Sequence, residues 1–401
     1  MSKDLKDKTL RELEEIVAGL GQKKYLAGYI FKFIHVQNGN DISALSTLSK
    51  AFRAQLVEQG YFISQIKLVE SLSDPDGSAK FLFELSDGER IESVLLPEDK
   101  RKTLCVSTQV GCAMGCGFCA TAKIRLRRSL TAAEIVDQVN IISYVPTRAS
   151  RGTGILPVSS MGVPPMNIRN IHGQDARATH GRDAHATETP DGGATNVVTG
   201  VVYMGMGEPL QNYDAVLKSI RILNHPAGRN IGIRHITIST CGVAPGIRQL
   251  ADEDIHPRLA ISLNAPTDAL RSKLMPINNK YPLAELLDAV RDYQAKTGQR
   301  VTFEYVLMDK VNDSVLHARM LVKLLRGLMY NVNLIEHNPY AGFEYAASSR
   351  QRIQRFASVL KDAGIETTIR FRMGRGIKAA CGQLQAGYSP AKPSAKSAPH
   401  Q

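Results

Sequence analysis

A short apolar run leads directly into three cysteines in Leu104-Cys-Val-Ser-Thr108-Gln-Val-Gly-Cys112-Ala-Met-Gly-Cys116-Gly-Phe-Cys119. The apolar run predicts a buried strand, and the cysteines that follow it have the spacing C-x3-C-x2-C. A structural zinc site or an ordinary four-iron cluster is held by four protein ligands, so this motif is one thiolate short. Three close thiolates would leave one iron of a four-iron cluster open to a substrate or a cofactor.

A zinc site with a distant His or Cys as its fourth ligand is the alternative interpretation. Zinc ligands usually come as two C-x2-C pairs, whereas here the first gap has three residues and no second pair exists. The spacing therefore favours an open iron–sulfur cluster, which is typical of the radical S-adenosylmethionine (SAM) enzymes. Such a cluster donates one electron to SAM, and breaking a carbon–sulfur bond then yields a 5′-deoxyadenosyl radical.

The composition is that of a folded and basic protein. The chain has 401 residues, of which 43% are hydrophobic and 22% are charged, which is ordinary for a globule with a real core. Its 50 Lys and Arg against 38 Asp and Glu give a net charge of +12. This excess indicates a polyanionic partner such as RNA or DNA, although a solvated basic surface would give the same count.

The sequence predicts neither a membrane span nor a secreted protein. No apolar run approaches the roughly 18 residues of a membrane helix, and the charged start Met-Ser-Lys-Asp-Leu-Lys is not followed by a signal-peptide core. We therefore expect a cytoplasmic location, in which the six cysteines stay reduced apart from transient catalytic disulfides.

Helical periodicity dominates the first 65 residues and predicts a small helical accessory domain at 1–65. Lysines beside aromatic residues suit an RNA-contacting module there, and they suit a plain amphipathic surface equally well. Residues 66–103 predict a β-rich connection that carries Glu92, with strands at 80–85 and 90–96 separated by Gly-containing turns.

From residue 104 onward, apolar strand patterns alternate with helical ones. We expect six strands, at 104–108, 200–204, 235–240, 258–263, 301–307 and 331–336. Six such units predict an α/β fold with a partial (β/α)6 barrel over 104–386, and functional groups at the carboxyl ends of its strands. Residues 146–196 and the tail 387–401 lack periodicity and are predicted to be disordered.

Several chemically useful residues follow the predicted strands. Met204-Gly-Met-Gly-Glu-Pro209 would bring backbone close to a ligand, and Glu208 could accept a hydrogen bond from the ammonium of SAM. Ser239, Ser262-Leu-Asn264 and Asn338 could bind ribose, carboxylate or adenine edges, or serve only as caps and turns. Cys105, Cys241 and Cys381 could each be a small buried hydrophobe, although the contexts of Cys105 and Cys381 invite a reactive role.

Together these motifs resemble the RlmN/Cfr family of radical-SAM RNA adenine methyltransferases. The resemblance runs from the N-terminal helices to Leu384, skips residues 146–196 and the tail, and includes Ala-Ala-Cys381-Gly-Gln-Leu384. It implies one [4Fe-4S] cluster held by Cys112, Cys116 and Cys119. It also implies that SAM is bound by Gly207, Glu208, Ser239, Ser262, Leu263, Asn264 and Asn338.

The resemblance further implies how the methyl group is transferred. Cys381 would take a methyl group from one SAM, and a radical from a second SAM would remove hydrogen from that S-methyl group. The methylene radical would add to C2 of adenine, and Glu92 would act as the proton acceptor. Cys105 would then attack Cys381, releasing the RNA and leaving a transient disulfide.

The implied substrates are adenine 2503 of 23S ribosomal RNA and adenine 37 of tRNA. A flavodoxin or ferredoxin would supply the electron to an enzyme that acts as a monomer. Two alternatives stay open: a Cfr-like methyltransferase acting on C8 of adenine, and a non-catalytic metal-containing RNA-binding protein. Asn264 departs from the family pattern, in which His is common, and the run 372–378 lacks the acidic residues that the family carries there.

Overall fold

A ten-stranded sheet organises the part of the chain that the computed structural model describes, which is residues 2–98, 101–145, 197–339, 345–370, 376–377 and 382–386. A two-stranded ribbon lies apart from it. The strands are β1 (Lys67–Ser73), β2 (Ala79–Glu84), β3 (Arg90–Glu98), β4 (Arg101–Cys105), β5 (Gln109–Val110), β6 (Arg128–Ser129), β7 (Gly200–Tyr203), β8 (Ile236–Thr240), β9 (Arg258–Ser262), β10 (Val301–Leu307), β11 (Tyr330–Glu336) and β12 (Thr367–Arg370).

Ten α-helices accompany these strands in the described residues. Three precede the sheet, α1 (Leu10–Gly19), α2 (Leu26–His35) and α3 (Lys50–Glu58), as the helical periodicity of this region predicts. The others are α4 (Ala132–Tyr144), α5 (Tyr213–Asn224), α6 (Ala244–Ala251), α7 (Asp268–Leu274), α8 (Leu283–Thr297), α9 (Val315–Leu324) and α10 (Arg350–Asp362). None of the described helices is long and apolar enough to cross a membrane.

Seven of the ten strands are parallel and form the barrel-like part of the sheet. They run in the order β4-β7-β8-β9-β10-β11-β12, and β1-β2-β3 extend the β4 side as an antiparallel meander. The sheet stays open, with β1 and β12 at its edges. The predicted α/β fold with an incomplete barrel and a short β extension is therefore confirmed.

Two details of the barrel differ from the prediction. The first parallel strand ends at Cys105 rather than at Thr108, because the chain turns from β4 into the loop that carries the cysteines. β12 is a seventh parallel strand paired with β11, and the sequence analysis did not predict it. It has only four residues, none fully buried, so it lacks the continuous apolar run that identifies the central strands. The predicted disordered segments 146–196 and 387–401 lie outside the described residues.

Helix boundaries follow from local sequence. α1 and α4 each begin with a capping box, in which the Thr9 and Thr131 hydroxyls accept from the amides of Glu12 and Glu134. Each glutamate side chain in turn accepts from the threonine amide, so two otherwise unpaired amides are satisfied at each helix start. α8 ends at Gly298, whose φ of 66° is the left-handed conformation that glycine adopts readily.

A buried ion pair joins the N-terminal segment to the barrel. The Lys6 ammonium lies 2.6 Å from the Asp137 carboxylate on α4, and both side chains are shielded from solvent. The second oxygen of Asp137 accepts from the amide of Ile66 at 2.8 Å, just before β1. One carboxylate on the barrel thus holds two separate points of the N-terminal region, which fixes that region against α4.

His35 belongs to the core of the N-terminal helices. Its side chain is fully buried, it packs against Phe31 with ring centroids 4.5 Å apart, and neither ring nitrogen has a hydrogen-bond partner among the described residues. Burial lowers the pKa of His35 to about 3, and the positive charges of Lys6 and Arg229 add to that effect. The ring is therefore neutral in the folded protein and does not belong to a basic surface.

We expect His35 to weaken the fold as the pH falls. Below about pH 6.5 the unfolded chain binds a proton at this histidine and the folded chain does not. The unfolding free energy therefore falls by about 1.4 kcal/mol for each pH unit. His35→Leu should flatten the decline in unfolding free energy between pH 6.5 and 5. Urea unfolding of both proteins across this range measures the difference, and parallel pH profiles would contradict the assignment.

Candidate active site

A cavity of about 140 Å³ lies at the carboxyl ends of the parallel strands. Its walls come from the cysteine loop, the segment after β7, the ends of β8 to β11, and Gly382. Nine of the site residues named from sequence line it: Cys112, Cys116, Cys119, Gly207, Glu208, Ser239, Ser262, Asn264 and Asn338. The parallel topology brings these residues together although the chain separates the first from the last by more than 200 positions.

The cysteine loop is held by its own backbone. β5 and β6 pair at its base, and the Cys112 amide donates to the Ile124 carbonyl at 3.1 Å. Gly111 has a φ of 78°, and a Cβ there would lie 2.3 Å from the Arg125 carbonyl oxygen. Only glycine fits this position, so the turn that starts the motif is fixed by sequence.

The three motif thiols share one buried environment. Burial, with a smaller contribution from the neighbouring Cys116, raises the pKa of Cys112 to about 12 and that of Cys119 to about 11. Without a metal the Cys112 and Cys119 thiols are protonated, and binding an iron–sulfur cluster would release their protons. The described residues contain no group of three or more His, Cys, Asp or Glu arranged for a single metal ion. The donor set, three thiols on one wall of a cavity, fits a larger cluster.

A fourth thiol reaches this environment without any signal in the sequence. Cys241, directly after β8, places its Sγ 3.9 Å from the Sγ of Cys116. This contact and burial raise the pKa of Cys241 well above its ordinary value. Sequence reasoning assigned Cys241 no role, because its closeness to Cys116 depends on strand order.

Glu208 connects two strand ends. One of its carboxylate oxygens accepts from the Leu210 amide at 3.1 Å and the other from the Cys241 amide at 2.7 Å. The carboxylate is buried, which raises its pKa. The neighbouring Gly207 has a φ of 102° and lies so close to Gln109 that a Cβ would approach it to 2.6 Å. The glycine-rich motif therefore packs directly against β5.

Asn264 takes an unusual backbone conformation at the end of β9. Its φ is 58°, a region that asparagine tolerates better than most residues. Its side-chain oxygen accepts from the Val306 amide at 2.8 Å, and its amide nitrogen lies 3.2 Å from the Met275 sulfur. Leu263, the preceding residue, does not line the cavity, since its side chain is buried in the main core.

Arg271 on α7 is a positioning residue that sequence patterns did not reveal. Its guanidinium is fully buried and donates to the carbonyls of Cys241 at 2.6 Å, Leu263 at 3.1 Å and Ser262 at 3.3 Å, and also to the Asn278 side chain. One side chain thus ties the ends of β8 and β9 together. Arginines are common in helices, so no sequence pattern indicated a special role for Arg271.

Two of the predicted transfer residues, Glu92 and Cys105, lie on the paired strands β3 and β4. Cys105 ends β4 and pairs with Val94 of β3, so it shares a sheet face with Glu92, two residues earlier on that strand. The Glu92 carboxylate contacts the Lys80 ammonium at 3.1 Å and accepts from the Gln385 amide at 2.7 Å. Cys381 lies outside the described residues. The Gly382 carbonyl accepts from the Ala120 amide of the cysteine loop at 2.7 Å.

The open parallel sheet, the cysteine loop and the cavity at the strand ends together define the chain as a radical SAM enzyme. The model of the Radical SAM superfamily matches residues 192–321, and that of the ribosomal RNA large subunit methyltransferase N-terminal domain matches residues 3–61.

Comparison with known proteins narrows the class to one family. A probable dual-specificity RNA methyltransferase RlmN of Thermoanaerobacter sp. (strain X514) is 40% identical over 96% of this chain and 98% of that protein. The dual-specificity RNA methyltransferase RlmN of Syntrophobacter fumaroxidans is 39% identical over the same shares. The crystal structure of a radical SAM methyltransferase from Sphaerobacter thermophilus superposes with a TM-score of 0.78 at 41% identity, covering 96% of this chain and 99% of that one.

The chain therefore belongs to the RlmN family of dual-specificity RNA methyltransferases. Membership implies an iron–sulfur cluster and SAM as cofactors and RNA as the substrate class.

We expect Arg271→Lys to loosen the cavity. An ammonium cannot reproduce the planar fork, so buried carbonyls lose their donors, at a cost of about 3 kcal/mol in unfolding free energy. The matched control is Arg248→Lys, at an exposed ion pair with Asp292, where we expect a change within about 0.5 kcal/mol. Urea unfolding compares the two, and equal small effects would show that Arg271 does not hold the strand ends.

Proposed function

We propose that this protein methylates C2 of adenine in RNA, at adenine 2503 of 23S ribosomal RNA and adenine 37 of tRNA, using two SAM molecules per turnover. The observation that carries the proposal is the convergence of nine predicted site residues on one cavity at the carboxyl ends of parallel strands. Membership of the RlmN family supports RNA methylation. The methylated positions and the chemistry of the transfer are what we propose beyond it.

Cys112, Cys116 and Cys119 would hold a [4Fe-4S] cluster as its three protein ligands. All three line the cavity, as Gly207 and Glu208 do. When bound and reduced by a flavodoxin or ferredoxin, the cluster supplies one electron to SAM and so generates a 5′-deoxyadenosyl radical. The chain's task is then to orient SAM through Gly207, Glu208, Ser239, Ser262, Asn264 and Asn338, and to exclude water.

Cys381 would carry the transferred carbon as an S-methylcysteine. Its neighbour in sequence, Gly382, lies on the cavity wall and accepts from the Ala120 amide of the cysteine loop. The residues after Gly382 are held as well, since the Thr121 hydroxyl donates to the Leu384 carbonyl at 2.8 Å. These contacts hold the segment that follows Cys381 against the cysteine loop.

Cys105 and Glu92 would complete the transfer. They share a sheet face, and the Gln385 amide donates to the Glu92 carboxylate, which ties β3 to the segment that follows Cys381. The radical adduct would give up one electron to the oxidised cluster, and Glu92 would remove the proton from C2. The Cys105 thiolate would then attack the Cys381 sulfur, so that the carbon–sulfur bond to the RNA breaks and a disulfide forms.

The charge of the chain supports an RNA partner, since a net charge of +12 attracts a polyphosphate. We propose that the protein acts in the cytoplasm and as a monomer. The 1–65 helical region would be the RNA-contacting accessory domain, 66–103 the β-rich connection that carries Glu92, and 104–386 the radical-SAM core.

Anaerobic reconstitution tests the proposal. With iron, sulfide, a reductant and SAM, the protein should release 5′-deoxyadenosine and place a methyl group on C2 of adenosine in ribosomal RNA. Mass spectrometry of digested RNA identifies the product. Exclusive C8 methylation would replace the proposed activity with that of a Cfr-like enzyme, and bound zinc without SAM cleavage would indicate a metal-containing RNA-binding protein.

Cys105→Ala tests the two-thiol scheme. Without the resolving thiol the RNA adduct should stay covalently attached, so we expect loss of multiple turnover and a protein–RNA species on denaturing gels. The matched control is the double variant Cys105→Ala with Cys381→Ala, which should form no such species because it lacks the carrier. Normal turnover by Cys105→Ala would show that another group releases the RNA.

A further inference from the structure

The outer face of α9 combines exposed apolar side chains with basic ones. Leu316 is 61% exposed, Met320 is 38% exposed and Val315 is 37% exposed. Arg319 and Lys323 are exposed on the same side of the helix, as their spacing on a helix of 3.6 residues per turn requires. The opposite side is buried in the core. An exposed apolar patch bordered by charge is typical of a surface that binds another protein.

The positive charge on this face is not neutralised by α9 itself. Residues 315–329 contain no acidic side chain, and Arg319, Lys323 and Arg326 form no ion pair with another described residue. On α5, α6 and α8, by contrast, basic side chains are ion-paired with acidic ones: Arg221, Arg248, Arg291 and Lys296. The outer face of α9 therefore offers its positive charge to an acidic partner.

The elements beside α9 keep this surface basic. α10 packs against α9 and carries four basic residues and one acidic residue, Asp362, at its last position. The two acidic residues of the loop before α9 are already paired, since Arg352 contacts Asp309 at 3.5 Å and Asp313 at 2.6 Å. The start of α9 therefore has no free carboxylate beside it in the described loop.

The start of α9 is connected to the environment of the cysteine loop. Met308, directly after β10, belongs to the apolar cluster that contains Cys116. Val311 packs against the same cluster, as Cys112 and Cys119 do. α9 begins shortly after Val311, at the edge of the sheet where the cavity lies, because it follows the carboxyl end of β10. A molecule docked on the first turns of α9 would therefore face the three thiols through packed protein rather than through the cavity.

These features fit an electron-transfer protein better than RNA. RNA is bound mainly by basic, polar and aromatic side chains, whereas Leu316 and Met320 are aliphatic, and methionine and arginine are enriched in protein interfaces. The helix has ten residues, so its outer face is about 15 Å long. Such a small patch suits the transient encounters of redox proteins.

The place of α9 in the fold also separates it from the proposed RNA-contacting region. That region, residues 1–65, precedes β1 at one edge of the sheet, whereas α9 connects β10 to β11 near the other edge. A donor bound to α9 would leave the N-terminal helices available to RNA, so both partners could be bound during turnover.

We infer that the outer face of α9, centred on Leu316, Arg319, Met320 and Lys323, is the docking surface for an acidic electron-transfer protein. This inference rests on the proposed function and deepens it, because it gives the electron donor a place on the molecule. In the docked complex the reduced donor loses one electron and the cluster held by the three cysteines gains it. No covalent bond forms or breaks in this step.

A charge-reversal variant tests the docking surface. Arg319→Glu combined with Lys323→Glu should bind a flavodoxin of negative net charge about tenfold or more weakly than the wild-type protein at low salt, because attraction becomes repulsion. The difference should shrink as salt is added, since exposed charges are screened. Leu316→Ser should also weaken binding, and this loss should persist at high salt. Isothermal titration calorimetry of the anaerobically reconstituted proteins measures each affinity.

Two controls separate docking from other effects. Arg234→Glu combined with Arg258→Glu changes the net charge by the same amount, at exposed positions where β8 and β9 begin, away from the cavity edge. This variant should bind the flavodoxin as the wild-type protein does. With dithionite, a small reductant that needs no docking surface, the α9 variants should release 5′-deoxyadenosine at the wild-type rate, whereas release driven by reduced flavodoxin should fall with the measured affinity.

Several outcomes would overturn the inference. Wild-type protein that binds no flavodoxin, or binds it with an affinity independent of salt, would do so even if no α9 variant folds. Equal affinities for the α9 variants and the wild-type protein would also do so, as would an equal loss in the control variant. Weaker binding of transcribed tRNA with unchanged binding of flavodoxin would assign the face to RNA. Each of these leaves the proposed function intact, whereas wild-type protein that releases no 5′-deoxyadenosine with either reductant would remove both.

Discussion

Parallel strand pairing is the constraint on which the candidate site depends. Because neighbouring strands from β4 to β11 run in the same direction, the loops that follow them emerge at one edge. Residues far apart in the chain then line a single cavity. The pairing needs short contacts to hold the loops once they leave the sheet. Glu208 supplies one of these between β7 and β8, through the Cys241 amide, and Arg271 supplies three to the carbonyls at the ends of β8 and β9.

Those contacts explain why the site is polar yet rigid. Carboxylates and a guanidinium are buried here, and each would be costly without partners. Most of their polar atoms are satisfied by backbone amides and carbonyls of the same loops. Glu304 departs from this rule, since one of its oxygens is buried without a hydrogen-bond partner among the described residues.

Sequence alone predicted the fold class and nine of the residues that line the cavity, for identifiable reasons. Central strands are continuous apolar runs, and the cysteine spacing is a local pattern, so both can be found by inspection. β12 escaped because four half-exposed residues carry no such signal. The places of Glu304 and Arg271 in the cavity region were not predicted, because a glutamate in a strand and an arginine in a short helix are common. Their roles depend on neighbours that only the structure shows. Cys241 escaped because its nearness to Cys116 comes from strand order.

The shared carboxylate of Asp137 links the order of synthesis to folding. Lys6 is synthesised well before its buried partner, which follows 131 positions later. Until α4 has emerged, the N-terminal region cannot bury that ammonium beside a counter-charge, and a barrel expressed without residues 1–65 would enclose a carboxylate that has lost the Lys6 ammonium. The buried pair therefore couples the folding of the N-terminal region to that of the barrel, and expressing the two separately should lower the solubility of each.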